Sequence, residues 1–212
     1  MLKTLTVLAL LLTACSAAPS RSSSGPGQVL VYECGNGVEF VADIRPRQTW
    51  LFLPGQTVAL PLVHSADSGN RYGNGNIRFW NKGDTALLDI PDGTTYDCSV
   101  NRARSIWEDA KLRGVDFRAT GNEPGWFLEI DQEQIVLVSN YGRDRFTFPS
   151  PPPQTDRQAR QTRYVTSTPD HRLNILLEGV ACRDDMSGEA FETRVELELD
   201  GRKLRGCGRA QH

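Results

Sequence analysis

Arg71-Tyr-Gly-Asn-Gly-Asn-Ile-Arg-Phe-Trp80 runs on into Asn81-Lys-Gly-Asp-Thr-Ala-Leu-Leu-Asp-Ile90 and then Pro91-Asp-Gly-Thr-Thr-Tyr-Asp-Cys98. Within this stretch Ile77–Trp80, Thr85–Ile90 and Thr94–Cys98 are too short for helices and carry β-branched and aromatic residues. They are punctuated by Gly73-Asn74-Gly75-Asn76 and Pro91-Asp92-Gly93. Asn-Gly supplies the positive φ angles of a tight hairpin turn, so these are successive antiparallel strands. The pattern extends toward the N-terminus. Val38–Ile44 follows the turn Cys34-Gly-Asn-Gly37, and Thr49–Leu53 and Thr57–Val63 flank Pro54-Gly55-Gln56. Regular short strands with Gly/Pro turns predict an all-β unit over residues 28–100, either a barrel or a sandwich.

The whole chain has 212 residues, with 24 Lys+Arg against 26 Asp+Glu and 39% hydrophobic residues. That composition excludes a coiled coil, a collagen-like chain and a fully disordered one. A net charge of −2 is no footprint for nucleic acid. Residues 28–100 hold 5 basic and 8 acidic side chains, a net −3 that favours a cationic partner.

Residues 1–14 combine Lys3, the apolar run Leu5–Leu12 and small residues, the pattern of a secretory signal too short to span a bilayer. Leu12-Thr13-Ala14-Cys15 resembles the bacterial lipobox, which implies acylation of Cys15, and Ser16 after it resembles lipoproteins sorted to the outer membrane. The expected location is the cell envelope, anchored in outer-membrane lipid, with the periplasmic face expected. Residues 15–27 are a Ser/Pro/Gly-rich tether, with a span of roughly 20 Å as a flexible coil. Assigning Cys15 to lipid leaves Cys34, Cys98, Cys182 and Cys207. Of three possible connectivities, Cys34–Cys98 with Cys182–Cys207 respects two domains in an oxidising compartment. No C-x-x-C occurs and no histidine sits near a cysteine at ligand spacing, so neither a metal nor a cofactor is expected.

Ser105-Ile-Trp-Glu108 reads as a capping box and Gly114 as a helix end, predicting a helical linker over 101–114. Residues 115–212 are again strand-like, with Val195–Asp200 alternating cleanly. Pro149–Pro153 and the polar run to Arg163 read as a mobile loop, Gly121 and Glu123 as turn residues, and Asp184 and Asp185 as surface charge rather than a cation site. A second, β-rich domain follows, resembling an uncharacterised envelope-lipoprotein domain to which no activity attaches.

Three features of the first unit occur together: Tyr32-Glu33-Cys34 opening it and Cys98 closing it, Ser68-Gly69-Asn70-Arg71-Tyr72 (S-G-x-x-Y), and Phe79-Trp80-Asn81-Lys82-Gly83 followed by Ala86 and Leu87. In that order, after a lipobox, they resemble the MliC/PliC family of bacterial inhibitors of c-type lysozyme. Threonine usually precedes the lysine in that family; Asn81 stands here. The resemblance implies an eight-stranded antiparallel barrel, c-type lysozyme as partner, and Ser68 and Lys82 entering its cleft. Gly69, Tyr72 and Gly83 complete the implied binding set, with Tyr72 and Trp80 supporting the loops by packing. A c-type lysozyme works with two carboxyl groups facing each other, one protonated and one ionised, and a hydroxyl and an ammonium are suitable donors to them.

Two other classes compete with an inhibitor. An enzyme with Ser68 as nucleophile and Lys82 as base lacks both the G-x-S-x-G elbow and the S-x-x-K spacing, so no enzymatic activity is expected. An envelope structural or stress lipoprotein, whose C-terminal domain carries an unknown binding role, is the alternative.

Overall fold

The computed structural model describes residues 27–212; the signal sequence, Cys15 and the tether through residue 26 lie outside the described residues. Eight strands open the fold: β1 (Gln28–Cys34), β2 (Glu39–Ile44), β3 (Gln48–Leu53), β4 (Gln56–Ala66), β5 (Gly69–Gly73), β6 (Arg78–Asn81), β7 (Thr85–Asp89) and β8 (Thr95–Asn101). Each pairs with the next, and β8 returns to β1 through Val31↔Asn101 and Cys34↔Cys98, closing an antiparallel barrel. Eight strands enclose a space that side chains can fill. Here Leu30, Tyr32, Phe40, Leu51, Leu60, Tyr72, Phe79 and Leu88 fill it. Tyr32 stacks on Phe40 at 5.2 Å and meets Phe79 edge-on at 5.5 Å, while Tyr72 lies 6.1 Å from Phe79. Offset and edge-on pairs of this kind suit the ring quadrupole. The core is thus an aromatic plug rather than a ligand cavity, and the Cys34–Cys98 disulfide staples β1 to β8 across the closure.

Because the strands run up and down in order, the β2–β3, β4–β5 and β6–β7 turns share one end of the barrel with the end of β8. Helix α1 (Arg102–Leu112) leaves from that end. The expected capping box is not what starts it. Asn101 is the N-cap, its side chain accepting from Arg104 N at 2.9 Å. Ser105 is instead buried inside the helix, donating to Asn101 O at 2.6 Å and accepting from Val31 N at 2.9 Å. A hydroxyl committed to the barrel in this way cannot cap a helix. Gly114, at φ +83°, does follow the helix end, donating to Lys111 O.

The remaining strands are β9 (Phe117–Asn122), β10 (Gly125–Ile130), β11 (Gln134–Ser139), β12 (Asp144–Pro149), β13 (Gln154–Asp156), β14 (Gln161–Ser167), β15 (Arg172–Glu178), β16 (Cys182–Arg183), β17 (Ala190–Phe191), β18 (Thr193–Leu199) and β19 (Arg202–Ala210). Nine of them form one antiparallel sheet, ordered β12-β11-β10-β9-β19-β18-β15-β14-β13, and β16 pairs with β17. The sheet curls enough for Thr166 of β14 to donate to Pro149 O at the end of β12, at 2.8 Å. Its core is built on Trp126, Leu128, Ile135, Leu137, Phe148, Leu173, Ile175 and Leu197. The segment expected to be a mobile loop carries a hairpin: β13, whose three residues are polar and exposed, pairs with β14 through Gln154↔Arg163 at the edge of the sheet. Gly121 is likewise not a turn residue. It lies in β9, where a Cβ would fall 2.3 Å from Trp126 Nε1 and 2.5 Å from Arg205 O.

Candidate functional site

Two loops meet at the shared end of the barrel. The first is the two-residue β4–β5 turn, Asp67-Ser68, held between Ala66 and Gly69. Gly69 has φ +113°, a conformation that only glycine adopts without strain. Upstream, the register skips between Leu62↔Tyr72 and His64↔Arg71, a bulge at Val63 that adds twist and re-aims the hairpin tip. Ser65 donates to Asn70 Oδ1 at 2.7 Å and ties the hairpin arms together below the exposed Ser68.

The second loop is Lys82-Gly83-Asp84 between β6 and β7, closed by Lys82 N donating to Thr85 O at 2.8 Å. Strand alternation sorts its approach. Phe79 points into the core, and Asn81, two residues on, follows it inward, its Nδ2 donating to the Tyr32 phenolic oxygen at 2.6 Å. Asn81 Oδ1 accepts from Gly83 N at 3.4 Å. Burial pushes the Tyr32 phenol up to about 12, outweighing the opposite effect of the Asn81 donor. Trp80 and Lys82 face outward.

The pairing Asn70↔Asn81 and Arg71↔Trp80 brings the loops together. A Cβ on Gly69 would lie 2.0 Å from Asn81 O and 3.1 Å from Lys82 Cα, so the two backbones touch there. Trp80 spans both loops, its Nε1 donating to Ser68 O at 3.2 Å while Lys82 Nζ sits 3.8 Å from its ring centroid. Asp84 is occupied elsewhere: its carboxylate pairs with Arg102 at the start of α1, and its carbonyl accepts from Val100 N at 2.9 Å. Among the described residues Lys82 has no ion-pair partner.

The sequence-predicted residues divide. Ser68, Lys82 and Gly83 are exposed at the tip, and Gly69 is the contact point between the loops. Tyr72 is 2% exposed in the core and donates to Arg45 O at 3.3 Å, which makes it a support of β5 rather than a surface donor. The sequence reading missed Arg71, Arg102 and the inward role of Asn81. The alternation from Phe79 would have pointed Asn81 inward; Arg71 needs the β5–β6 register.

In the second unit, Asp184 is not the surface charge expected. It is buried and accepts from Asn122 Nδ2, Met186 N, Ser187 N and Ser187 Oγ at 2.7–3.1 Å, and the Ser187 and Asn122 donors hold its carboxyl below the usual range despite burial. Cys182–Cys207 is bonded beside it.

Residues 32–97 match the family described as membrane-bound lysozyme-inhibitor of c-type lysozyme, MliC. The chain is similar to the protein named membrane-bound lysozyme inhibitor of C-type lysozyme of Yersinia enterocolitica, 32% identical over 113 residues, covering 52% of this chain and 89% of that relative. No solved structure matches the chain.

Proposed function

The chain belongs to the MliC family, and from that premise we propose that it is a lipid-anchored inhibitor of c-type lysozyme whose Ser68 and Lys82 loops enter the active-site cleft. One observation carries the reading: an exposed hydroxyl and an ammonium without an acidic partner among the described residues sit on two loops whose backbones touch at Gly69 and which Trp80 bridges. The target cleft holds two carboxyl groups, one protonated and one ionised. Ser68 can donate to either, and Lys82 brings three donors and a charge. Hydrogen bonds to charged groups contribute about 1.5–3 kcal/mol each. Because the loops are fixed before binding, little of that is lost to ordering. The barrel acts as a stiff plug, and no bond is made or broken.

Anchoring follows from the lipobox. Acylation of Cys15 places the tether in the outer membrane, on the periplasmic face, where a lysozyme that has entered would meet the barrel. Stable anchoring takes more than one acyl chain. Metabolic labelling with a fatty acid that is lost in Cys15→Ala tests this part.

The central experiment measures suppression of lysozyme-driven lysis of peptidoglycan-rich cells. Ser68→Ala and Lys82→Ala should each weaken inhibition about tenfold or more. Full inhibition by the double variant removes the cleft-insertion reading.

A further inference from the structure

A second cation shares the Trp80 platform, and among the described residues no carboxylate pairs with it. Arg71 lies directly across the ladder from Trp80, its guanidinium 4.1 Å from the ring centroid, while Lys82 Nζ lies 3.8 Å from the same point. The two charges are therefore no farther apart than about 8 Å. Arg71 is exposed and, among the described residues, forms neither an ion pair nor a side-chain hydrogen bond. Asp84, the carboxylate of the Lys82 loop, is paired with Arg102. Two like charges held on one half-buried ring repel each other in the lone protein. Such an arrangement gains most when a partner brings negative charge to both.

We propose that Arg71 is a second carboxylate-binding contact, making the tip a dicationic reader of the paired acids in the lysozyme cleft; this rests on the reading above. Two cations held within about 8 Å of each other are close enough to be drawn together to a pair of carboxyl groups, which in a retaining glycosidase lie about 5–5.5 Å apart. The division of labour also fits. Held over the Trp80 ring and without a hydrogen-bond partner among the described residues, the guanidinium keeps its N–H fork for bidentate binding of a carboxylate, whereas Lys82 acts as a compact point charge. The ring quadrupole holds both cations in place without neutralising them. Arg71 occupies a position between the Ser68-Gly69 pair and Tyr72, so the same hairpin that presents the hydroxyl presents the fork.

The test uses the full chain and c-type lysozyme. Arg71→Ala should weaken inhibition about tenfold or more, and Arg71→Lys should recover only part of it, since charge returns without the fork. The inhibition of the Arg71→Ala variant should also depend less on salt than that of the unaltered chain. Against a lysozyme with its ionised cleft carboxylate replaced by the amide, the Arg71→Ala effect should shrink to about twofold or less. If Ser68→Ala and Lys82→Ala weaken inhibition while Arg71→Ala stays within about twofold of the unaltered chain, Arg71 is a bystander and only this inference falls. If none of the three substitutions matters, cleft insertion falls and takes the dicationic tip with it.

Discussion

Asn81 donates to the phenolic oxygen of Tyr32 at 2.6 Å, joining the loop that carries Lys82 to a side chain with 0% exposure in the barrel core. The two residues are 49 positions apart. Tyr32 is itself packed against Phe40 and Phe79, so the bond ties a surface loop to the buried aromatic core of the barrel. The same carboxamide accepts from Gly83 N, stabilising the turn from the other side. A threonine at this position has the oxygen for the turn, but it lacks the length and the second polar group that reach Tyr32.

That anchor sets a graded expectation. Asn81→Ala leaves the Tyr32 hydroxyl without its donor and the turn without its acceptor, and should cost about 1–3 kcal/mol of stability. Asn81→Thr should restore the turn but only part of the loss. Chemical denaturation of the three proteins gives the order, and lysozyme inhibition should follow it, because a Lys82 loop free to move loses preorganisation.

Alkaline pH should weaken the same region. The Tyr32 phenol, ordinarily near 10, is pushed up to about 12 by burial, so the folded protein keeps a proton that the unfolded chain gives up. Stability from this group is complete below pH 10 and declines as pH rises from there toward 12. Replacement by phenylalanine should flatten that part of the profile. Urea midpoints taken across this range, beside tyrosinate absorbance to follow ionisation, provide the check.

Much of this architecture is legible in local sequence, and the exceptions share one cause. Turn residues such as Gly73-Asn74-Gly75-Asn76 and Pro91-Asp92-Gly93 act within a few positions, so strand boundaries can be read directly. Ser68 and Lys82 are readable through their motifs. Asn81 toward Tyr32, Asp84 toward Arg102 and Ser105 toward Val31 span 49, 18 and 74 positions. Their partners are fixed only once the barrel has closed. Ser105 is the clearest instance: its local pattern spells a cap, yet a distant backbone N–H uses the hydroxyl. The β13–β14 hairpin is hidden by its polarity, since an edge strand of three exposed polar residues leaves no apolar pattern to read.

The two tip glycines should respond differently to the same substitution. In Gly69→Ala the new methyl group meets Asn81 O at 2.0 Å, at φ +113°, and backbone has to move. In Gly83→Ala nothing lies within 4 Å, and the φ of +78° alone is strained, for about 1–2 kcal/mol. Gly69→Ala should therefore destabilise more and separate the two loops, lowering inhibition at least tenfold, while Gly83→Ala stays closer to the unaltered chain. Equal effects of the two would mean that the loop–loop contact does not matter.

The disulfides offer a way to ask whether inhibition resides in the barrel alone. Cys34–Cys98 closes a loop with a sequence separation of 64, and Cys182–Cys207 one of 25. Loop-closure entropy puts their contributions at about 4 kcal/mol and roughly 1 kcal/mol less. Replacing Cys34 and Cys98 with alanine should lower the unfolding temperature of the barrel and, at the temperature where it opens, abolish inhibition. Replacing Cys182 and Cys207 should loosen the contact of β16 with β19 while leaving the tip intact, since Ser68, Arg71, Trp80 and Lys82 all belong to the first unit. Calorimetry of both variants, paired with inhibition assays below each transition, separates the two cases. Loss of inhibition in the second variant at a temperature where the barrel is folded would mean that the curled sheet contributes to binding lysozyme.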